Sequence, residues 1–178
     1  MSRRYHFRTV WRVAGTVPEV MAVMDDVDSM PRWWPSVYLS VNRLEDGGTD
    51  GVGRRIGLRT TGWLPYTLRW VSTLTEPVTE RGFAITAAGD MTGTGRWTFE
   101  QDGPEAVLTF DWQISADKPV LRQCRWLLSG VFAANHRWAM ARGSESLALE
   151  LRRRRANGAT TASIPPPRPP TFGALVRR

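Results

Sequence analysis

The chain has 178 residues, 42% of them apolar, with 9 tryptophans, a single cysteine and a formal net charge of +7. This length and composition fit one domain with a sizeable core, and one cysteine excludes an internal disulfide, as suits a reducing cytoplasm and a buried thiol at Cys124. Seven of the 24 basic residues (Arg152 to Arg155, Arg168, Arg177 and Arg178) sit at the end of the chain. The remaining 17 match the 17 acids, so residues 1–151 are balanced and carry no general signature of nucleic-acid binding.

MSRRYHFRT at the N-terminus is basic but has no apolar segment after it, which argues against a secretory signal. WLLSGVFAA, the longest nearly apolar run, is about half the length that a membrane span requires. The expectation is a soluble, cytoplasmic protein.

From Tyr5 to Val13 the chain alternates. Tyr5, Phe7, Thr9, Trp11 and Val13 share one face, and His6, Arg8 and Arg12 the other, which predicts a half-buried strand. A helix follows, with Thr16 or Val17 at its cap, Pro18 in its first turn and Val20, Val23, Met24 and Val27 at helical spacing. Asp28 to Trp34 predicts a second short helix, stopped by Pro35.

The period then changes to two. Val37, Leu39 and Val41 precede a turn at Asp46-Gly47-Gly48, and Ile56, Leu58 and Thr60 mark the next strand. Tyr66, Leu68, Trp70, Ser72 and Leu74 mark another, expected to end before Pro77. Phe83, Ile85 and Ala87 form the next. Trp97 and Phe99 follow the glycine-rich GDMTGTG, read as a bulge or tight turn, and Leu108, Phe110, Trp112 and Ile114 follow Asp102-Gly103-Pro104. Turns at such regular spacing predict an antiparallel meander.

A long helix is expected from Lys118 to about Arg155. Its single inward stripe is read as Leu121, Cys124, Leu128, Val131, Asn135, Trp138, Arg142, Ser146 and Leu149, with Gly130 and Gly143 marking bends or close contacts. Residues 156–178 are rich in Pro, Ser and Thr and read as a disordered tail, leaving a domain at 1–155. The fold class is thus α+β: seven strands curled around one long C-terminal helix, with two short helices after the first strand.

Residue by residue, that order resembles the START-like, helix-grip superfamily, also called SRPBCC, and within it the bacterial polyketide cyclase/dehydrase and lipid-transport group. The resemblance rests on TVPEVMAVMDDVDSMPRWWPSV, GVGRRIGLRTTGWLPYTLRW, GDMTGTGRWTFE with LTFDWQIS, and FAANHRWAMARG, over roughly residues 5–150. It implies an apolar cavity between sheet and long helix that encloses a lipid, polyketide, isoprenoid or aromatic compound.

Several residues are candidates for that cavity. Trp70, Trp97, Trp112 and Phe110 either line it or simply fill the core, and so many rigid rings in a small domain suit a wall. Trp34 lies at the expected mouth, with Trp63 and Tyr66 at a hairpin rim. Asn135, on the inward stripe, would bond a ligand carbonyl or a sheet group. Arg142, on the same stripe, would bind a ligand anion or pair with Asp111 or Asp90. His136 is rotated about 100° from Asn135, onto the helix shoulder. It would be either a structural imidazole partnered by Asp111 or Tyr66 or the acid/base of a cyclase.

Two histidines and one cysteine offer no metal-ligand spacing, and GDMTGTG lacks the context of a nucleotide loop, so neither metal nor cofactor is expected. Three readings stand: a carrier of a hydrophobic small molecule; a cyclase/dehydrase-type enzyme using His136 with Asn135 or Tyr66; and an interaction protein. The last would act through PPPRPP, or through Arg152, Arg153, Arg154 and Arg155 on an anionic membrane.

Overall fold

The computed structural model describes residues 4–116, 128–156 and 163–172. Seven strands form one antiparallel sheet in the order β1-β7-β6-β5-β4-β3-β2. They are β1 (Arg4–Ala14), β2 (Tyr38–Glu45), β3 (Arg55–Thr61), β4 (Thr67–Thr79), β5 (Gly82–Gly89), β6 (Met91–Asp102) and β7 (Glu105–Ala116). Between β1 and β2 lie α1 (Val17–Asp25), a 3-10 turn at Val27–Ser29 and α2 (Met30–Trp33). The helix α3 (Leu128–Arg155) follows the sheet. The meander, the short helices and the long terminal helix are those expected from the hydrophobic periods.

The corner between β1 and α1 is pinned by side chains. Thr16 caps α1, its hydroxyl accepting from the Glu19 N–H while the Glu19 carboxylate accepts from the Thr16 N–H at 2.8 Å. Gln101 on β6 accepts from the Val17 N–H at 2.9 Å and donates to the Gly15 carbonyl at 3.1 Å. At the other end of the chain, Arg155 grips Glu19 with two bonds of 2.6 and 2.7 Å. Arg154 joins Glu150 to Asp26.

Three details depart from the expectations. Strand β4 continues through Pro77 instead of ending before it. The β4–β5 register slips between Leu74 and Glu76 and again between Glu76 and Thr79, and at such a bulge the missing proline N–H breaks no ladder bond. The glycine-rich GDMTGTG is neither bulge nor turn over most of its length, because Gly93 and Gly95 are paired within β6 to Ile114 and Trp112. A Cβ on Gly95 would fall 2.7 Å from the Trp112 ring and 3.0 Å from Phe110. The glycine leaves room for aromatic rings to lie flat on the strand.

The third departure is the phase of α3. Its buried residues are Phe132, Met140, Gly143, Ser146, Leu147, Glu150 and Leu151. Val131, Trp138, Arg142 and Leu149 are only half-buried. The inward face runs Phe132, His136, Met140, Gly143, Leu147, Leu151, about one residue or 100° from the expected stripe. The expected start of this helix at Lys118, with Leu121 and Cys124, lies outside the described residues.

Glu150 explains part of that error. Its side chain is 1% exposed, yet it is ionised. Burial pushes its carboxyl pKa up, but hydrogen bonds from Arg32 and Arg154 outweigh burial and hold it below the usual range. Arg32 clasps it with two bonds of 3.0 and 2.7 Å, tying α2 to α3.

Within the expected tail, residues 163–172 rest against α3. Ile164 is buried, Arg153 donates to the Pro165 carbonyl, and Arg168 lies 3.7 Å from Glu145. The Pro-rich segment is seated here, not detached, because the outer face of α3 offers Ala148 and Leu149 beside those charges.

Candidate functional site

The lower part of the space between sheet and α3 is filled. Trp11, Val13, Val20, Val23, Leu108, Leu147 and Leu151 pack there. Trp34 stands edge-on to Trp11 at 5.4 Å, and both rings press on Gly143, where a Cβ would meet them at 2.3 and 2.7 Å. The close approach seats α3 on the tryptophans and sets the height at which packing stops.

Above that level lies a cavity of about 170 Å³, partly open to solvent. Its floor is a run of rings. Trp97 stacks on Phe110 at 4.3 Å, Phe110 on Trp112 at 5.3 Å, and Trp70 leans toward Trp112 at 6.1 Å. One end is closed by Met24, Val27, Met30, Trp33 and Trp34 from the short helices. Phe132, Asn135, His136, Ala139 and Met140 of α3 form the roof. Apolar groups dominate, as in sites that enclose small hydrophobic molecules.

The polar lining is sparse and mostly satisfied. Asn135 accepts from the backbone N–H of Trp63 at 2.9 Å, so its oxygen positions the β3–β4 hairpin. Trp70 donates its indole N–H to Thr60 at 3.1 Å. Thr61 donates to the Tyr66 carbonyl at 2.9 Å. Arg54 lines the cavity and pairs with Asp25 at 2.8 Å.

His136 faces the cavity rather than the helix shoulder. Its ring stacks on Phe7 at 4.3 Å, and Nε2 lies 3.4 Å from the Thr9 hydroxyl. Neither expected partner holds it, since Asp111 is engaged by His6 at 3.2 Å. Burial, followed by the charge of Arg137, lowers its pKa to about 4. The imidazole is neutral at pH 7. The Tyr66 hydroxyl is buried without a hydrogen-bond partner among the described residues, and burial pushes its pKa up to about 12.

Of the expected lining, Trp34, Tyr66, Trp70, Trp97, Phe110, Trp112 and Asn135 are brought together around the cavity. Trp63 is not. It is half-buried and offers its backbone to Asn135 instead. Arg142 is also elsewhere, paired with Glu145 at 2.7 Å and lying over the Trp138 ring at 5.9 Å, rather than with Asp111 or Asp90. The one-residue phase error carried it out of the site. Sequence reasoning missed Arg54 and Phe7, although Phe7 stood on the correct face of β1.

Arg153, Arg154 and Arg155 are engaged with Pro165, Glu150, Asp26 and Glu19. No helix among the described residues is long and apolar enough to cross a membrane.

A curved seven-stranded antiparallel sheet gripping a terminal helix, with an apolar pocket between them, defines a START-like, helix-grip protein. Residues 4–152 match the family described as polyketide cyclase / dehydrase and lipid transport, and the chain belongs to that family. No curated protein matches it by sequence. Among solved structures it is similar to TTHA0849 from Thermus thermophilus, with 13% identity over 85% of this chain and 100% of that one and a TM-score of 0.68. It is also similar to the Zhui aromatase/cyclase from Streptomyces sp. R1128, with 20% identity, 85% and 96% coverage and a TM-score of 0.63. A START superfamily protein from Mycobacterium smegmatis gives 17% identity, 80% and 98% coverage and a TM-score of 0.60. At these identities the likeness establishes the fold alone.

Proposed function

We propose that this protein binds and carries a hydrophobic, ring-bearing small molecule in the cavity between sheet and α3. The observation that carries this reading is the stacked run Trp97, Phe110 and Trp112 beneath about 170 Å³ of apolar space. A dry cavity of about 150 Å³ suffices to take up benzene, so a one- or two-ring compound fits with little rearrangement. The family description, which includes lipid transport, agrees with a binding role. Native mass spectrometry of freshly purified full-length protein tests it. A mass increment that disappears on denaturation supports the reading. Protein at its bare mass that also takes up none of naphthalene, farnesol or palmitate refutes it.

The second reading, a cyclase/dehydrase-type enzyme, is favoured by His136 and Tyr66 lining the same space. With one pKa near 4 and the other near 12, both are uncharged at pH 7. Any chemistry they support relies on polarising a carbonyl rather than on proton exchange with solvent near neutrality. His136→Gln should then abolish turnover while sparing ligand binding, and an unchanged rate removes His136 from the mechanism. The arginine cluster and Pro-rich segment have less support as an interaction site, because most of their groups are engaged within the fold.

A further inference from the structure

The roof of the cavity is held unequally along its edges. The C-terminal half of α3 is fixed, because Glu150, Arg154 and Arg155 bond to Arg32, Asp26 and Glu19, and Gly143 sits on two indoles. The stretch from Phe132 to Met140 lies over the cavity. On the β1 side it is closed by two ring stacks, Tyr5 on Phe132 at 5.6 Å and Phe7 on His136 at 4.3 Å. β1 itself cannot swing away, since it is paired with β7 along its length. The opposite seam is different. The β3–β4 ladder ends at Thr61 and Thr67, and Gly62 to Tyr66 project beyond it as a tip. The Thr61 N–H ties the base of the tip to the Val37 carbonyl at 2.9 Å. Bonds from the Thr61 hydroxyl to the Tyr66 carbonyl and from the Tyr66 N–H to the Leu64 carbonyl hold its shape. Neither holds it to α3. Among the described residues one hydrogen bond does that, from the Trp63 N–H to Asn135 Oδ1 at 2.9 Å. The approach there is close. A Cβ on Gly62 would overlap Asn135 Oδ1 and stand 2.5 and 2.6 Å from its Nδ2 and Cγ.

The seam along the hairpin is therefore shut but singly bonded. We propose that the β3–β4 tip is the gate through which a ligand enters and leaves the cavity, and that Asn135 is its latch, a positioning residue acting through the Trp63 backbone. Opening this seam gives up one neutral hydrogen bond. Parting α3 from β1 would separate two pairs of stacked rings, and parting it from α1 and α2 would break several charge-assisted bonds, so those routes open far less often. Elements that move to admit ligands are drawn from the least stable parts of a fold, and the tip is anchored only at its base and at Asn135. Gly62 belongs to the same device, because only a residue without a side chain lets the backbone close on the amide. This inference rests on the ligand-binding reading above and adds the route of exchange.

Stopped-flow mixing of the full-length protein with 1-aminonaphthalene, a neutral probe that accepts energy from tryptophan, tests it. In Gly62→Ala the methyl group must push the Asn135 amide aside. Association and dissociation rates should both rise about fivefold, as expected for the loss of one ordinary hydrogen bond, while Kd stays within about twofold. A retained Kd also shows that the variant is folded. Loss of structure alone would weaken binding without raising the association rate. Asn135→Ala removes the latch and should accelerate both rates to a similar degree. In the Asn135→Ala background, Gly62→Ala should add nothing, because the amide it would strike is gone. Unchanged rates in Gly62→Ala, or accelerations that multiply in the double variant, overturn the gate and leave the cavity reading intact. A wild-type protein that binds no 1-aminonaphthalene overturns the gate together with the ring-bearing ligand beneath it.

Discussion

Gly143 offers a sharp test of how α3 is seated. In an exposed helix, replacing glycine by alanine gains about 0.5–1 kcal/mol, because alanine sacrifices less backbone freedom. At Gly143 the added Cβ would stand 2.3 Å and 2.6 Å from Trp34 and 2.7 Å from Trp11. Those rings are themselves held by Trp33, Tyr38 and Trp97, so they cannot yield separately. Overpacking of this kind costs about 1–3 kcal/mol. Gly143→Ala should therefore destabilise the protein by about 1–2 kcal/mol net, lowering Tm by roughly 2–8 °C for a chain of this size. Gly130, in the same helix, supplies the control. A Cβ there meets nothing within 4 Å, and Gly130→Ala should stabilise by up to about 1 kcal/mol. Urea unfolding of both variants decides the matter. If Gly143→Ala is as stable as Gly130→Ala, the rings do not set the height of α3 and the reasoning fails.

Three further outcomes are expected. His136, neutral in the fold at a pKa of about 4 and ordinarily near 6.5, leaves the unfolded chain binding more protons between those values. Stability due to burying it neutral is present above pH 6.5 and is lost as pH falls toward 4, on the order of 2 kcal/mol between pH 7 and pH 5. His136→Gln should flatten that part of the urea-unfolding profile, and an unaltered slope would count against a buried neutral imidazole. The carboxyls of Glu150 and Glu19 are lowered as well, here in favour of the charged form, Glu19 to about 2 through the hydrogen bonds of Arg155 and the Thr16 backbone. Their stabilisation is complete above pH 4.5 and is lost as pH falls through the lowered folded values. Glu150→Gln should cost about 2–3 kcal/mol at pH 7, a gap that narrows in acid, and a pH-independent gap would show that its charge is not what matters. Finally, we propose residues 1–155 as the folding unit. A chain ending at Ala156 should keep its circular dichroism and lose only a few degrees of Tm with the contacts of Ile164 and Pro165, and failure to fold would move the boundary beyond Phe172.

The sheet was legible because its strands keep period two at residues whose chemistry agrees with their burial. Trp11 and Val13 are apolar and buried, Arg8 and Arg12 charged and exposed. The phase of α3 was not legible for the same reason reversed. Its inward face includes Gly143, His136 and Glu150, which hydropathy assigns to solvent, while Trp138, Leu149 and Val131 sit half-buried on its flanks. Gly143 is inward because two indoles need the space, and Glu150 because Arg32 reaches it from α2. Both facts belong to partners more than 100 residues away in sequence. Asn135 remained in the lining because it stands at the edge between the expected and observed faces, whereas Arg142, two turns further on, was carried outside. The aromatic floor was found because Trp70, Trp97, Phe110 and Trp112 lie on strands, where a side chain has only two directions to choose between.

Early and late segments of the chain meet twice, once where β1 pairs along its length with β7 and again where Arg154 and Arg155 clasp Asp26 and Glu19. This has a consequence for synthesis. The first strand emerges from the ribosome about a hundred residues before the strand that completes it, and such distant pairing is slow to form. Until then the apolar faces of Trp11 and Val13 have no sheet neighbour and no α3 to cover them. Chains that still lack β7 and α3 leave those faces uncovered, and the pocket gains its roof only once Phe132 to Met140 are in place.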